Sequence, residues 1–392
     1  MKLWKILYFD LVRLIKNDMI WGLLSLGLSV KRAGFHAPDT VYSEEDLERV
    51  LGEIGDEELI VSQNFSAVVA EACHRKQRIY LSWVYDSPQA SLFMKEALYN
   101  TNRIFVFDRM QKKRMEEFGL PYVFYQPLAA NVERLSGLVI EDAEISAYQT
   151  DVLFVGSLYQ DPGRKAYLSG LPKDALDEAE IVISEQYGKW CGVKQFFPMK
   201  EETVHVMYRH LKQDHLDVYR FEPEYLIQTL ILSREVSSRE RVEMLRRLSE
   251  HHEVTCYSTG SDPDGVLCHV HFKPPIEGEE EVFKAYYSAK INLNHTLTSI
   301  ESGIPLRVFD ILGVGGFVLS NDQEEMHELF EVDKELVTFS DFEEMEEKAS
   351  FYLRHDELRV RIGIAGYERV RDSYTYPLVM KKILSFVEKD LA

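Results

Sequence analysis

The chain has 392 residues, more than one ordinary hydrophobic core accommodates, so two domains are expected. Hydrophobic residues at 45% and charged residues at 28% are those of a folded globular protein, which excludes disorder as the default. Lys and Arg number 45 against 65 Asp and Glu, a formal charge of −20. That balance excludes nucleic acid as the main partner, because binding its backbone needs a basic excess, but a small basic pocket for one phosphorylated ligand remains compatible.

Cys73, Cys191, Cys256 and Cys268 are scattered, with no C-x-x-C pair and no metal-like spacing, and read as reduced buried thiols of a cytoplasmic protein. The longest apolar run, MIWGLLSLGLSV, is shorter than a membrane span and is flanked by Asp18 and Lys31, so it reads as a buried helix and no membrane span is expected. The opening MKLWKILYFD is too short and too polar for a signal peptide.

In chain order, residues 3–9 read as a first strand and Met19 to Lys31 as a helix packed on it. Strands at 58–62, 79–84, 103–107 and 122–126 then alternate with helices at 65–75, 89–98 and 110–118. Short apolar strands alternating with helices are the pattern of a doubly wound parallel sheet. This first domain covers residues 1–130. Neither GxGxxG nor GxxxxGK[ST] stands at its strand–helix junctions, which counts against a dehydrogenase or a P-loop enzyme.

Two strand ends there carry chemistry. In WVYDSP, Tyr85, Asp86 and Ser87 close a strand before Pro88; Asp86 or Ser87 reads either as an N-cap ahead of that proline or as a ligand contact at the carboxyl edge of the sheet. In VFDR, Asp108 and Arg109 read as a cap with a local ion pair.

Residues 131–150 are polar and read as an interdomain linker. A second α/β domain, 151–376, opens with strand 152–155 and the turn residues Gly156 and Ser157. From about 161 to 235 long aromatic-rich helical segments read as a helical insertion. The alternation resumes with helix 238–250 (Val242, Leu245 and Leu248 on its apolar face), strand 253–257, the turn-rich STGSDPDG, strand 266–270, a Pro-Pro loop and helix 279–289. HVH at 269–271 offers two histidines but no third metal ligand nearby. Ile291 to Ser320 then reads as strand, polar loop (Glu301, Ser302, Gly303), helix Leu306 to Leu312, GVGG turn and second buried strand. An acidic helix Gln323 to Phe330, a strand Glu335 to Phe339, the solvated run EEMEEK and a final helix in 377–392 complete the chain. In such a unit ligands sit where the loop meets the helix N-terminus, whose N–H groups and dipole attract anions.

WVYDSP with RIFVFDR, then DVLFVGSLY, then KINLNHTLTSIESGIPLRVFDILGVGGFVLSN resemble the CgeB-like (spore-maturation-protein-like) glycosyltransferases over nearly the whole chain. The resemblance implies a GT-B fold, two Rossmann-like doubly wound parallel-sheet domains facing a cleft, with the nucleotide-sugar donor on the C-terminal domain and the acceptor on the N-terminal one. It implies no obligatory metal and no cofactor beyond the nucleotide-sugar substrate, which reads as UDP-linked.

By this resemblance Arg307 and the helix N-terminus would hold the diphosphate, and Glu301 and Asp310 would hold hydroxyls, with Glu301 on the sugar side and Asp310 on the ribose. Glycosyltransferases similar to glycogen synthase carry a glutamate pair with seven residues between its members; here eight separate Glu301 from Asp310, and Asp stands for the second Glu. Asp310 also reads as a first-turn helix carboxylate. Gly156 and Ser157 would approach the diphosphate with Arg164 or Lys165 beside them. Ser258 and Thr259, in the stretch to Asp262, and Phe272 and Lys273 would lie along the nucleotide, next to Ser302 and Gly303. Asp86 would be the general base or a positioning group, with Tyr85 and Ser87 on the acceptor side. The rivals are a nucleotide-sugar epimerase on the same fold and a non-catalytic nucleotide- or sugar-binding scaffold.

Overall fold

The alternating apolar runs become two six-stranded parallel sheets in the computed structural model of the chain, which describes residues 4–11, 16–34, 36–38, 41–190, 197–211, 223–259 and 265–392. Cys191, the stretch 260–264 with Asp262, and residues 191–196 and 212–222 of the expected insertion lie outside the described residues. By contact the chain forms two compact units. One holds the residues up to Asn131 together with Ser373–Ala392, and the other the described residues from Val132 to Asp372.

The first sheet has the order β2-β1-β3-β4-β5-β6. Its strands are β1 (Lys5–Phe9), β2 (Ser29–Arg32), β3 (Leu59–Gln63), β4 (Ile79–Val84), β5 (Asn102–Val106) and β6 (Val123–Tyr125). Every residue of β3 and β5 is buried, as a parallel sheet covered on both faces requires. The final helix, Tyr376–Asp390, packs into this unit: it contacts the helix Lys16–Ser25, Phe386 stacks on Phe124, and Arg103 pairs with Asp390.

Two expectations here are corrected, and one helix is added. The helix expected at Met19 to Lys31 stops at Ser25, turns through Gly27 (φ 76°), and gives way to β2, an edge strand. Its residues are mostly exposed, so no apolar run announced it. The helix expected at 89–98 is two 3-10 turns, Ala90–Phe93 and Lys95–Leu98. The helix Glu44–Glu53 was not anticipated, although Ser43 and Asp46 form a reciprocal capping box at its start.

The second sheet is β12-β11-β10-β7-β8-β9, built from β7 (Val152–Val155), β8 (Val254–Tyr257), β9 (Val270–Lys273), β10 (Ile291–Asn294), β11 (Val318–Asn321) and β12 (Val337–Phe339). Counted from β7, this is the order 3-2-1-4-5-6 of dinucleotide-binding sheets, and the order reverses between β7 and β10. The expected strand 266–270 shifts to Val270–Lys273: residues 266–269 form turns, and only His271 of the two histidines lies in the strand. Cys268, expected to be buried, is exposed, whereas Cys73 and Cys256 are buried. The stretch 131–150 contains two short helices, Val132–Ser136 and Asp142–Tyr148.

Between β7 and β8 the helices Pro162–Ser169, Lys173–Gln186 and Glu201–His210 enclose a core of their own. Leu168, Ala179, Ile183, Met207, Ile227 and Val236 contribute to it. A π-helical turn, Ile227–Leu232, leads from this insertion directly into the helix Ser233–Ser249.

Candidate functional site

Ligands on open parallel sheets bind outside the carboxyl ends of the strands where the strand order reverses. In the second unit that point lies between Gly156-Ser157, which follow β7, and His295, which follows β10. Two guanidinium groups converge there. Arg307, in the first turn of the helix Leu306–Gly313, and Arg241, on the helix Ser233–Ser249, each hold their guanidinium carbon 5.5 Å from the ring centroid of Phe154 in β7.

Arg241 is 4% exposed. Its Nη1 donates to the carbonyl of Ser157 (2.5 Å), its Nη2 to the carbonyl of His295 (2.7 Å), and its Nε to His295 Nδ1 (3.3 Å). Tyr159 covers it, with the ring centroid 4.7 Å away. Burial pulls the guanidinium down to about 10, the Tyr159 phenol opposes that, and the Arg307 charge adds to it.

Arg307 is half-buried, stands 3.5 Å from Asn294 Oδ1, and bonds the Tyr286 hydroxyl. Burial pushes that phenol up to about 12, opposed by Arg307 and reinforced by the Asp310 carboxylate. Among the described residues neither arginine has a carboxylate within 4.0 Å. Desolvating cations without a counter-ion is costly, so the pair forms a focus of positive potential that an anion would relieve.

The helix Leu306–Gly313 adds to that potential. No side chain caps its first turn, which Pro305 opens, so its backbone N–H groups and dipole face the same edge. Gly156, at φ 153°, lies directly beneath Arg307, and a Cβ there would clash with the guanidinium.

The anticipated residues divide into groups. Gly156, Ser157 and Arg307 come together. Glu301 and Ser302, each 1% exposed, and buried Gly303 line the loop before the helix. The Ser302 hydroxyl donates to Glu325 Oε1 (2.8 Å), and Glu325 N donates to the Ser302 carbonyl (3.2 Å), which ties this loop to the segment after β11. Asp310 sits one turn inside the helix, so it is not a first-turn carboxylate, and its charge bears on the Tyr286 phenol.

Ser258 follows β8, one strand from Gly156, and Thr259 is exposed. The Phe272 ring packs on the unit's core, because it alternates inward on β9. Lys273, exposed at the end of that edge strand, lies over the Tyr257 ring at 5.4 Å. Arg164 is committed elsewhere: it is buried, ion-paired with Glu235 (3.0 Å) and bonded to the Tyr159 carbonyl, so its charge is already neutralised.

In the first unit Asp86 is exposed beyond β4, and its Oδ2 accepts from Asn64 Nδ2 (2.7 Å). No α-helix follows Pro88, so the N-cap role expected for Asp86 or Ser87 is not realised. The Ser87 hydroxyl instead turns inward to Asp108 Oδ2 (3.0 Å), which removes it from an acceptor surface. Asp108 Oδ1 caps the helix Arg109–Glu117, accepting from Met110 N and Gln111 N, and Arg109 stacks on Tyr125. The Tyr85 hydroxyl is bonded to that of Tyr376 (3.2 Å).

Arg241, His295, Glu240 and Tyr159 were not anticipated. A signal for two of them existed: Glu240 and Arg241 share one helix face with Ser237, at i+3 and i+4 from it. All three are buried, and Ser237 Oγ bonds Thr298 of the β10 loop (2.9 Å). Polar side chains repeated on a buried helix face mark partners elsewhere in the fold. Among the described residues no three His, Cys, Asp or Glu side chains are grouped to hold a metal ion, and no helix is long and apolar enough to cross a membrane.

Residues 234–385 match the family model described as glycosyl transferase-like. That match begins in the helix carrying Arg241 and runs through β8 to β12 into the last helix. No curated protein matches the chain by sequence.

Among solved structures the chain is similar to a glycosyltransferase from Rickettsia africae ESF-5, with 10% identity and a TM-score of 0.56, covering 100% of this chain and 99% of that one. It is similar to the sucrose-phosphate synthase of Thermosynechococcus elongatus, at 12% identity and TM-score 0.54, over 99% of both chains. It is also similar to Anabaena HepE in complex with UDP and glucose, at 11% and 0.54, over 98% of this chain and 100% of that one. These similarities show a shared GT-B fold, and the glycosyl transferase-like match lies within its second unit and the last helix.

Proposed function

We propose that the protein transfers a sugar from a nucleoside-diphosphate sugar, UDP-linked, to an acceptor hydroxyl, without needing a metal ion, and that it is a CgeB-like member of the glycosyltransferases. The observation that carries this reading is the convergence of Arg241 and Arg307 on Phe154 at the point where the strand order of the second sheet reverses. A departing nucleoside diphosphate develops negative charge, and fixed donors aimed at that charge lower the barrier without reorganising. Arg307, the uncapped start of the helix Leu306–Gly313 and the amide of Ser157 are assigned as such donors, the Gly156 amide being bonded to the Tyr257 carbonyl (3.0 Å).

Glu301 and Asp310 are assigned to hydroxyls of the sugar and the ribose. Ser258 and Thr259 run along the nucleotide. HepE is described in complexes with UDP and with UDP-glucose, which supports uridine as the base to try first. Asp86 is assigned to the acceptor hydroxyl, as general base or positioning group.

Purified protein is titrated with UDP, GDP and ADP and their glucose conjugates, with calorimetry and product analysis as readouts. Binding of at least one nucleotide, with nucleotide release on adding an acceptor, is expected. Absence of binding to every nucleotide would refute the proposal. An isomeric nucleotide sugar formed without any acceptor would identify an epimerase instead.

A further inference from the structure

Behind Arg241 lies a chain of buried contacts that the donor reading does not itself require. His295 Nδ1 faces Arg241 Nε at 3.3 Å, and His295 Nε2 faces Glu240 Oε2 at 2.7 Å. Both His295 and Glu240 are 1% exposed. A guanidinium nitrogen can only donate, so His295 Nδ1 must carry its lone pair, and the ring proton must sit on Nε2 facing the carboxylate. The imidazole is therefore neutral and of one tautomer, selected from both sides.

The other carboxylate oxygen of Glu240 accepts from Gly188 N (2.8 Å) and Trp190 Nε1 (2.9 Å). Those two donors come from the segment that follows the inserted helix Lys173–Gln186. Trp190 also stacks edge-on against His295, with centroids 5.9 Å apart. The contacts thus run from the helical insertion through Glu240 and His295 to Arg241. Arg241 in turn joins the carbonyls of Ser157 after β7 and His295 after β10, the two strand ends that flank the reversal.

We propose that His295, fixed as the Nε2–H tautomer by Glu240, is the positioning residue of the donor-phosphate site, and that the helical insertion completes this site by holding Glu240. The role follows from geometry. Arg241 is too buried to reach a ligand freely, so its contribution depends on locking the β7 and β10 turns at one separation and keeping its charge beneath them. Losing the His295 ring leaves the Arg241 Nε without its acceptor, so the guanidinium that spans the Ser157 and His295 carbonyls is held at two points instead of three. The inference rests on the donor-site reading above.

The test uses the full chain, with UDP and inorganic pyrophosphate as probes. His295→Ala is expected to weaken both by about tenfold or more, the range for a hydrogen bond to a charged group. His295→Asn, whose amide oxygen replaces the Nδ1 acceptor, should recover most of that affinity. Glu240→Gln keeps the volume. Its amide oxygen stays with Gly188 and Trp190, so its NH2 faces His295 and forces the ring proton onto Nδ1, against Arg241. It should therefore weaken pyrophosphate as His295→Ala does.

Nitrogen NMR of histidine-labelled protein reads the tautomer without any ligand, and it keeps the test decisive should His295→Ala fold poorly. Nε2–H in the wild type, switching in Glu240→Gln, is the expected result. A wild-type His295 protonated at Nδ1 or at both nitrogens overturns the proposal, as does unchanged pyrophosphate affinity in folded His295→Ala. Wild-type protein that binds neither probe overturns the donor-site reading, and this inference with it; normal wild-type binding with silent variants overturns the inference alone.

Discussion

Gly156 lies directly beneath the guanidinium of Arg307, so closely that a β-carbon at position 156 would overlap it. A side chain on the residue that follows β7 and the arginine in the first turn of the helix after β10 would therefore occupy one another's space. Gly156→Ala is expected to push Arg307 off its perch over Phe154 and to weaken UDP binding about tenfold. Its φ of 153° adds a stability cost of about 1 kcal/mol or more. Calorimetric titration and denaturant melts check the two effects separately.

Arg307→Gln removes a cation that has no carboxylate partner among the described residues. Removing an unpaired charge should leave the fold as stable as before, or slightly more so, while nucleoside-diphosphate affinity falls by about tenfold to a hundredfold. Arg307→Lys keeps the charge but loses the planar fork and should fall between the two. A loss of stability without a loss of affinity would show that Arg307 serves packing alone.

The bond from the Ser302 hydroxyl to Glu325 Oε1 is buried at both ends. Ser302→Ala takes a donor from a buried carboxylate, which should cost about 1–3 kcal/mol. Because the same contact ties the loop before the helix Leu306–Gly313 to the segment after β11, affinity for the sugar portion should drop more than affinity for UDP. Comparing UDP with UDP-glucose in one titration series measures that difference.

Asp86→Asn is expected to lower kcat and leave the dissociation constant of UDP unchanged. A fall of about a hundredfold or more identifies a general base, and a fall of a few-fold identifies a positioning group. The exposed carboxylate bonds Asn64, so the substitution should be neutral for folding. An unchanged kcat removes Asp86 from the reaction.

Burial would raise the Glu344 carboxyl, yet Lys348, the Ser340 hydroxyl and the Ser340 amide hold it down to about 2. A carboxyl whose folded value lies below its unfolded one contributes stability above about pH 4.3 that disappears as the pH falls toward 2. Lys348→Met should therefore lower the melting temperature at pH 7 and flatten its dependence on pH between about 4.3 and 2.

The sequence by itself determined the α/β class and the strands β4 and β7 to the residue, and it put Gly156 directly after a strand and Arg307 in the first turn of a helix. It could do so because buried parallel strands are short continuous apolar runs and because a proline such as Pro305 favours a helix start. β2 escaped it, since an edge strand satisfies only one side and needs no apolar run. The 3-10 turns after Pro88 escaped it too, because local pattern does not separate tight turns from a short helix. Phe272, Ser87 and Arg164 were legible as polar or aromatic residues near strand ends, but only packing decided that they turn inward.

Arg241 shows the division most clearly. It stands 84 residues from Ser157 and 54 from His295 in the chain, and nothing local distinguishes it from its neighbour Arg239, which pairs with Glu180 and Glu235. Two positions of helical rotation separate an arginine in a partly exposed ion-pair network from one that has no ion-paired carboxylate among the described residues beneath the site. That assignment is set by which face of the helix the second sheet covers, and only the tertiary structure supplies it.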